Sequence, residues 1–358
     1  MKRLAINLLK FGVSAAILTY LAYTAQDAFA ELRNKDKDWG LLLLASLLCL
    51  LSVLTTFVRW YFLVRALELP FRLRDAMRLG FLGYLFNFVS LGSVGGDLFK
   101  AVFIAREQPG RRVEAVATVL VDRVIGLYAL FIVATVAILV TGLRNSPVAA
   151  IQTICDVVFI CTGLGAVGIL MVLTPGFTNG SVSEFLAGLP KVGPAIAGLL
   201  SAVRMYRRKK PTLILVGAMS VAVHSISTVA IFCIARGLPG NTPSLGDHFL
   251  IWPMGILASA LPLPLSGLGA TEAALEFLYL NIPTTGAVTK GAGLLVSLGY
   301  RAITIAIAIV GVCYYWANRA LVSQLMKDSD RGEEPKSPTT PADNTDALPP
   351  AQVPAETN

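Results

Sequence analysis

Six apolar segments, each long enough to cross a membrane as one helix, constrain the fold of this chain more than any other feature. Their approximate ranges are 4–25, 40–64, 114–141, 148–173, 212–236 and 289–317. A spanning helix needs about 20 apolar residues to cross roughly 30 Å of hydrocarbon. Only 15% of the residues are charged, against about 25% in soluble domains. We therefore predict an all-α polytopic membrane protein with six full spans.

Two further apolar regions, 79–105 and 248–280, are each interrupted near the middle by glycine. The interruptions are G-S-V-G-G at 92–96 and S-G-L-G at 266–269. Each arm keeps about 11 to 14 residues, or roughly 16 to 21 Å of helix, which is too short to span. We predict two re-entrant hairpins, although two tightly turned pairs of full spans would also return to the same side.

Basic residues lie at the ends of the apolar segments rather than in one interleaved patch. The net charge of +8 is therefore interpreted as a topology signal and not as a nucleic-acid surface. These residues flank the first hairpin, begin the chain, precede the span at 212–236 and follow the last span. They include Lys2, Arg3, Lys10, Arg72, Arg74, Arg78, Arg106, Arg111, Arg112, Arg204, Arg207, Arg208, Lys209, Lys210, Arg319 and Lys327. Because cytoplasmic loops are rich in Lys and Arg, we predict a multi-pass protein of the cell (inner) membrane with both termini cytoplasmic.

Three segments outside the central spans need separate interpretation: the N-terminus, the stretch between the two halves and the C-terminus. The first thirty residues have the outline of a cleaved signal peptide, but residues 4–25 are long enough to span, so we predict a retained helix. The loop at 26–39 is then outside. Residues 183–210 read either as an amphipathic helix at the inner leaflet or as a basic loop. A transmembrane domain at 1–326 is followed by a predicted disordered cytoplasmic tail at 327–358.

The order of segments predicts an inverted structural repeat. Two spans, a broken hairpin and a third span occupy about 4–141, and the same order occupies about 148–317 with opposite membrane orientation. The spacing of corresponding residues supports this repeat. Gly269 follows Gly95 by 174 positions, and Arg301 follows Arg123 by 178. Many transporters are built on this plan.

Charged residues and glycines within the apolar regions are the candidate substrate-binding residues. An ionisable side chain in a span costs about 2.5 to 3.5 kcal/mol on insertion scales, so it is rarely accidental. A helix that begins inside the membrane directs N–H groups and a positive dipole end inward, which favours an anion such as a phosphate. The candidates are Gly95, Gly96, Asp97, Lys100, Asp122, Arg123, Gly267, Gly269, Glu272 and Arg301.

Other interpretations of the same residues stay open at this point. The glycines could serve close helix packing, and Asp97 and Glu272 could cap the short arms. Either acid could instead pair with Arg123 or Arg301 and titrate during transport. Arg59 is interpreted as an interfacial residue whose side chain snorkels. His224 is interpreted as a hydrogen-bonded core residue.

Catalytic and metal-binding motifs are scarce in this sequence. It contains no G-x-S-x-G elbow, no H-E-x-x-H, no P-loop and no acidic cluster spaced for a metal. No cofactor or metal is predicted, and transport is favoured over an enzymatic reaction.

The two hairpins carry recognisable residues: S-L-G-S-V-G-G-D-L-F-K at 90–100 with V-D-R-V-I-G-L at 121–127, and L-P-L-P-L-S-G-L-G-A-T-E-A-A at 261–274 with Y-R-A at 300–302. Over roughly residues 5–320 the chain resembles the flippase-like family formed by the transmembrane part of lysylphosphatidylglycerol synthases and their stand-alone relatives. The residues that match the family pattern by position are Gly95, Gly96, Asp97, Lys100, Gly269 and Glu272. Lys100 stands where the family has arginine, and Leu91-Gly92-Ser93 and Leu265-Ser266-Gly267 stand for P-G-G.

The resemblance implies a protein that moves or handles a lipid with an anionic head group, either a phospholipid or a polyprenyl-phosphate-linked lipid. It does not imply aminoacylation, because the chain has no counterpart of the soluble synthase domain. Our first hypothesis is a lipid translocase. The alternatives are a membrane subunit or transferase acting on a lipid-linked substrate, and a small-solute carrier. A separate lipid-modifying enzyme and a second copy of the chain are open as partners.

Overall fold

The computed structural model describes residues 2–89, 95–108, 110–173, 204–261, 263–282, 284 and 286–317. These residues form helices and connecting turns and contain no strand. Within the described ranges there are twelve α-helices, in chain order: α1 Lys2–Thr24, α2 Gln26–Asn34, α3 Trp39–Ala66, α4 Leu73–Val89, α5 Gly95–Glu107, α6 Arg112–Thr141, α7 Ala149–Leu173, α8 Lys210–Gly237, α9 Leu245–Ser259, α10 Pro264–Gly267, α11 Ala270–Asn281 and α12 Ala292–Ala317.

Five of these helices are long and apolar enough to cross a membrane, namely α3, α6, α7, α8 and α12. They coincide with five of the six predicted spans. The sixth predicted span is helical as α1 but is not among the five, so six spans remain a prediction. On α7 the apolar side chains of Ile160, Leu164 and Leu170 are largely exposed, as expected for a helix that faces hydrocarbon.

Each glycine-broken region folds as a pair of long helical arms, and in the second region a short helix lies between the arms. In the first, α4 and α5 return to the same end of the bundle, where the Arg78 guanidinium lies 2.6 Å from the Glu107 carboxylate. In the second, α9 is followed by the short α10 and then by α11. The arms α5, α9 and α11 have 13, 15 and 12 residues. The arm α4 has 17 residues, more than predicted, because it starts in the polar segment before the apolar region. Insertion of either pair from one side of a membrane stays a prediction.

Helix ends follow local capping chemistry. The Asp38 carboxylate accepts a hydrogen bond from the Leu41 N–H at 3.0 Å and begins α3. Ser244 and Asp247 form a reciprocal capping box at the start of α9. Gly142, with φ of 69°, ends α6 in the left-handed conformation that glycine adopts without strain.

The predicted outside loop at 26–39 is wrong in part, because residues 26–34 form α2. The reason is tertiary: Ala25 and Ala28 are buried against Gly291 at the start of α12, where a β-carbon would overlap them. Three further predictions lie partly or wholly outside the described residues. They are the glycine break at 92–96, which is described from residue 95, the amphipathic helix or basic loop at 183–210, which is described from residue 204, and the tail at 327–358.

The helices α3 and α8 pack against each other along much of their length. They are the second spans of the two proposed halves, so the halves meet through them. The Ser52 hydroxyl of α3 donates to the Val223 carbonyl of α8 at 3.3 Å. The hairpins lie beside this pair, since α4 packs on α3 and α9 packs on α8.

Candidate functional site

The first charged cluster lies at the start of α5. The Asp97 carboxylate lies 3.0 Å from the Lys100 ammonium group one turn later, and it also pairs with the Arg123 guanidinium of α6. Lys100 is buried, and its ammonium group lies 5.4 Å from the Trp60 ring centroid. Because two cations face one carboxylate, this cluster has a net positive formal charge. The Arg123 side chain is 49% exposed, so part of that charge lies at an accessible surface.

The second charged cluster lies at the start of α11. One oxygen of Glu272 accepts the Gly269 N–H at 2.7 Å and caps the helix. The other oxygen lies 2.8 Å from Nε and 2.7 Å from Nη2 of Arg301 on α12. Glu272 is fully buried, and the Arg301 side chain is 14% exposed. Capping and pairing, which were alternatives from the sequence, therefore occur together at Glu272.

The glycines of the candidate set allow close backbone contact. At Gly96 a β-carbon would overlap the carbonyl oxygen of Gly83, so α4 and α5 touch backbone to backbone. At Gly267, with φ of 73°, a β-carbon would lie 2.6 Å from the Ser259 Cα atom. Gly269 has φ of 94° and precedes α11. Close packing, which was the structural alternative for these residues, is therefore present at Gly96 and Gly267.

Asn87 joins the tips of the two hairpins, and the sequence reasoning did not identify it. Its side-chain oxygen accepts the Gly96 N–H at 2.9 Å, and its backbone carbonyl accepts the Ser266 hydroxyl at 2.9 Å. The two charged clusters are thus connected through one residue of α4. The signal that could have found it is a single amide side chain in an apolar arm, since polar side chains in membrane helices commonly bond across helices.

Ser266 lies in a conformation that is uncommon for its residue type. Its φ is 55°, in the left-handed region that glycine occupies freely and other residues occupy at a cost. The resemblance places glycine here in the family pattern. The hydrogen bond to Asn87 compensates for the strained backbone, so serine is tolerated at this turn.

Asp122 is placed differently from its neighbour Arg123. Both Asp122 oxygens lie 2.8 Å from nitrogens of Arg59 on α3, and Arg59 also donates to the Ser220 hydroxyl of α8 at 2.9 Å. Arg59 and Asp122 are buried, so the interpretation of Arg59 as an interfacial residue is wrong. Its charge is stabilised by a bidentate partner rather than by water. Asp122 therefore fixes α6 against α3 and so positions Arg123.

His224 is a hydrogen-bonded core residue, as its sequence context predicted. Its Nε2 atom lies 2.9 Å from the Gly126 carbonyl oxygen of α6, and the ring is buried. Within the described residues, no group of three or more His, Cys, Asp or Glu side chains is arranged to hold a metal ion. The charged clusters are therefore arrangements of ion pairs and helix ends.

A family model described as the lysylphosphatidylglycerol synthase TM region matches residues 7–311. The chain belongs to this family. The match covers both hairpins, both charged clusters and all five apolar spans up to residue 311. A search for similar curated proteins finds none. With its membrane-helix pattern, the family identifies a multi-pass membrane protein related to lipid metabolism.

In this member of the lysylphosphatidylglycerol synthase TM family, the candidate residues divide into three contact groups. Gly95, Gly96, Asp97, Lys100 and Arg123 lie at the first hairpin. Gly267, Gly269, Glu272 and Arg301 lie at the second hairpin. Asp122 belongs with Arg59 and Ser220 in the packing between α3, α6 and α8.

Proposed function

We propose that the protein is a translocase for a lipid with an anionic head group, a phospholipid or a polyprenyl-phosphate-linked lipid. The observation that carries the proposal is the first charged cluster. Two cations there face one carboxylate beside the N-terminal end of α5, and half of the Arg123 side chain is accessible. A phosphate group matches both the charge and the hydrogen-bond donors of such a cluster.

The contact between the hairpin tips brings the two charged clusters close to each other, which supports the transfer of a head group from one to the other. Asn87 is hydrogen-bonded to both tips. A displacement of one hairpin therefore displaces the other. In the proposed mechanism the head group is bound by Arg123 and the α5 terminus and passes to Arg301 and the α11 terminus. The lipid tails remain in the bilayer, and exposure alternates as one inverted half rocks against the other.

The proposed setting is the cell (inner) membrane, with cytoplasmic termini and hairpins that enter the membrane without crossing it. Basic residues at the base of the first hairpin support this orientation, because cytoplasmic loops are enriched in Lys and Arg.

The proposal is tested by transbilayer movement of head-group-labelled phosphatidylglycerol in proteoliposomes, with labelled phosphatidylcholine as the zwitterionic comparison. We expect the wild type to move phosphatidylglycerol faster. Arg123→Ala should reduce that rate roughly tenfold or more, since hydrogen bonds to charged groups contribute about 1.5 to 3 kcal/mol. Arg123→Lys should recover only part of the rate, because lysine lacks the planar fork of donors.

Arg144→Ala is the matched control. Arg144 also pairs with a carboxylate, Asp156, at 3.2 Å, but the pair is well exposed and joins the turn after α6 to α7. Its removal should leave the rate unchanged. An equal loss in Arg144→Ala and Arg123→Ala, or no movement of phosphatidylglycerol or of a polyprenyl phosphate by the wild type, would overturn the proposal.

A further inference from the structure

The Asp97 carboxylate divides its two oxygens between two cations. Its Oδ1 atom lies 3.0 Å from the ammonium group of Lys100, which is on the same helix, α5. Its Oδ2 atom accepts a hydrogen bond from Nε of Arg123, which is on α6. An anion that binds Arg123 therefore meets a guanidinium group that already has a carboxylate partner.

The two cations beside Asp97 differ in how firmly each is held. Lys100 is buried, and its ammonium group lies 5.4 Å from the Trp60 ring centroid. Trp60 is itself fixed, because its indole N–H donates to the Thr118 hydroxyl at 3.1 Å. The Arg123 side chain is instead half-exposed. Arg123 is thus the cation that an incoming anion reaches, and Lys100 is the cation that stays with Asp97.

The charges balance when an anionic head group takes the place of Asp97 at Arg123. Two cations then face two anions, with Lys100 paired to Asp97 and Arg123 paired to the phosphate. Guanidinium and phosphate groups form such pairs through two parallel hydrogen bonds. A phosphate and a carboxylate on one guanidinium repel each other, so exchange is favoured over joint binding. Asp97 keeps its other contact throughout, since Lys100 lies one turn later on the same helix.

The second charged cluster differs at the position that makes such an exchange possible. Position 275, three residues after Glu272, is a buried leucine, whereas the corresponding position of the first cluster is Lys100. The helix α11 itself carries no lysine or arginine. Because Glu272 is fully buried, release of Arg301 would leave its charge without a cation from its own helix. The exchange is therefore assigned to the first cluster.

We propose that Asp97 is the release residue of the first charged cluster. The anionic head group displaces Asp97 from Arg123, Lys100 retains Asp97, and the return of Asp97 to Arg123 expels the head group. Passage through a binding site requires binding that is favourable enough for entry and weak enough for exit, and a competing carboxylate lowers the affinity in this way. This inference rests on the proposed function and adds the step by which the bound lipid leaves Arg123.

The test compares binding and translocation in Asp97→Asn, which removes the competing charge and keeps an oxygen that accepts from Lys100. Binding is titrated with phosphatidylglycerol that carries a fluorescent acyl chain, on the full chain in detergent, and the binding lost in Arg123→Ala defines the site. Translocation of head-group-labelled phosphatidylglycerol is measured in proteoliposomes at a saturating lipid fraction. We expect Asp97→Asn to bind the lipid severalfold more tightly and to move it severalfold more slowly.

Asp75→Asn is the matched control. Asp75 also lies in the first turn of a helix, α4, and also has a cation three positions later, Arg78, at 3.8 Å. This pair lies at the base of the hairpin, where Arg78 also contacts Glu107, so its loss should change neither the affinity nor the rate. Asp97→Ser removes the same charge as Asp97→Asn and replaces that variant if it does not fold.

The affinity and the rate must change in opposite directions for the proposal to stand. Equal or weaker binding in Asp97→Asn overturns it and assigns Asp97 to head-group binding or to the fold. Tighter binding with an undiminished rate also overturns it, since release would then not depend on the carboxylate.

The translocase function is judged separately, on the wild type. A wild type that moves neither phosphatidylglycerol nor a polyprenyl phosphate removes both the translocase function and the release step. Movement in the wild type together with unaltered affinity in Asp97→Asn removes only the release residue.

Discussion

The two hairpins carry the same chemical arrangement in different surroundings. Each has an acid at the start of its second long arm that pairs with an arginine of the following span, Asp97 with Arg123 and Glu272 with Arg301. At the first hairpin the arginine is 49% exposed and a lysine adds a second cation, whereas at the second the acid is fully buried and the arginine is 14% exposed. The first cluster is thus the more accessible of the two, and the second is the one whose buried ion pair links it to the stability of the fold.

The largest expected difference between the clusters is in stability after removal of the acid. Glu272→Ala should destabilise the protein by about 3 to 5 kcal/mol, because it leaves a buried arginine charge without its partner and removes the cap of α11. Asp97→Ala should cost less, since Arg123 is half exposed and the buried Lys100 ammonium group keeps its contact with the Trp60 ring. Thermal unfolding in detergent measures both.

Glu272→Gln keeps the side-chain shape if the alanine variant does not fold, and it should fall between the wild type and Glu272→Ala. Equal unfolding temperatures for Asp97→Ala and Glu272→Ala would contradict the assignment of different roles.

A smaller effect should appear in the coupling within each pair. Double-mutant cycles to alanine should give an interaction energy of roughly 1 to 3 kcal/mol for Glu272 with Arg301, the upper part of the range for residues in one network. The pair Asp97 and Arg123 should give about 1 kcal/mol or less, as partly exposed ion pairs do. A larger coupling at the first hairpin would reverse the comparison.

Loss of the hydrogen bond between the hairpins should lower the stability less than Glu272→Ala does. Ser266→Ala keeps the strained backbone but loses the hydrogen bond to Asn87, so we expect a loss of about 1 to 2 kcal/mol. Ser266→Gly loses the same hydrogen bond and relieves the strain, so it should be close to neutral. Chemical or thermal unfolding of both variants separates the two terms, and an alanine variant as stable as the glycine variant would show that the turn is unstrained.

The smallest effect concerns the base of the first hairpin. Burial raises the pKa of Glu107, and Arg78 partly offsets the rise. The folded chain therefore retains a proton that the unfolded chain has released, so stability should fall as pH rises from the usual glutamate range towards the raised pKa. Unfolding temperatures between about pH 4 and pH 7 should show this slope in the wild type and a flatter one in Glu107→Gln.

Glu114→Gln is the control for that slope, because Glu114 is a neighbouring acid that pairs with Arg111 at the surface. Its profile should follow the wild type. A slope that survives in Glu107→Gln would assign the pH dependence to another group.

Much of the candidate site could be predicted from the sequence. A charged residue in an apolar segment raises the free energy of membrane insertion, so such residues are usually present for a structural or functional reason. The sequence placed Asp97, Glu272, Arg123 and Arg301 among the candidates and left their pairing open, and the structure pairs Asp97 with Arg123 and Glu272 with Arg301. Arg59 was wrongly interpreted as an interfacial residue because it lies near the end of an apolar segment. That distance does not show whether another helix supplies a carboxylate such as Asp122 as its partner. Asn87 was missed for the same reason.

By itself, the sequence determined that the chain is helical and membrane-embedded, and where five long apolar helices begin and end. Those properties follow from local hydrophobicity and backbone hydrogen bonding, which act over neighbouring residues. Only the tertiary structure decided which charges are paired, that α2 forms over 26–34, and that the hairpin tips meet at Asn87. These depend on contacts between residues far apart in the chain, such as the 179 positions that separate Asn87 from Ser266, and burial of a charge becomes favourable only when its partner is packed against it.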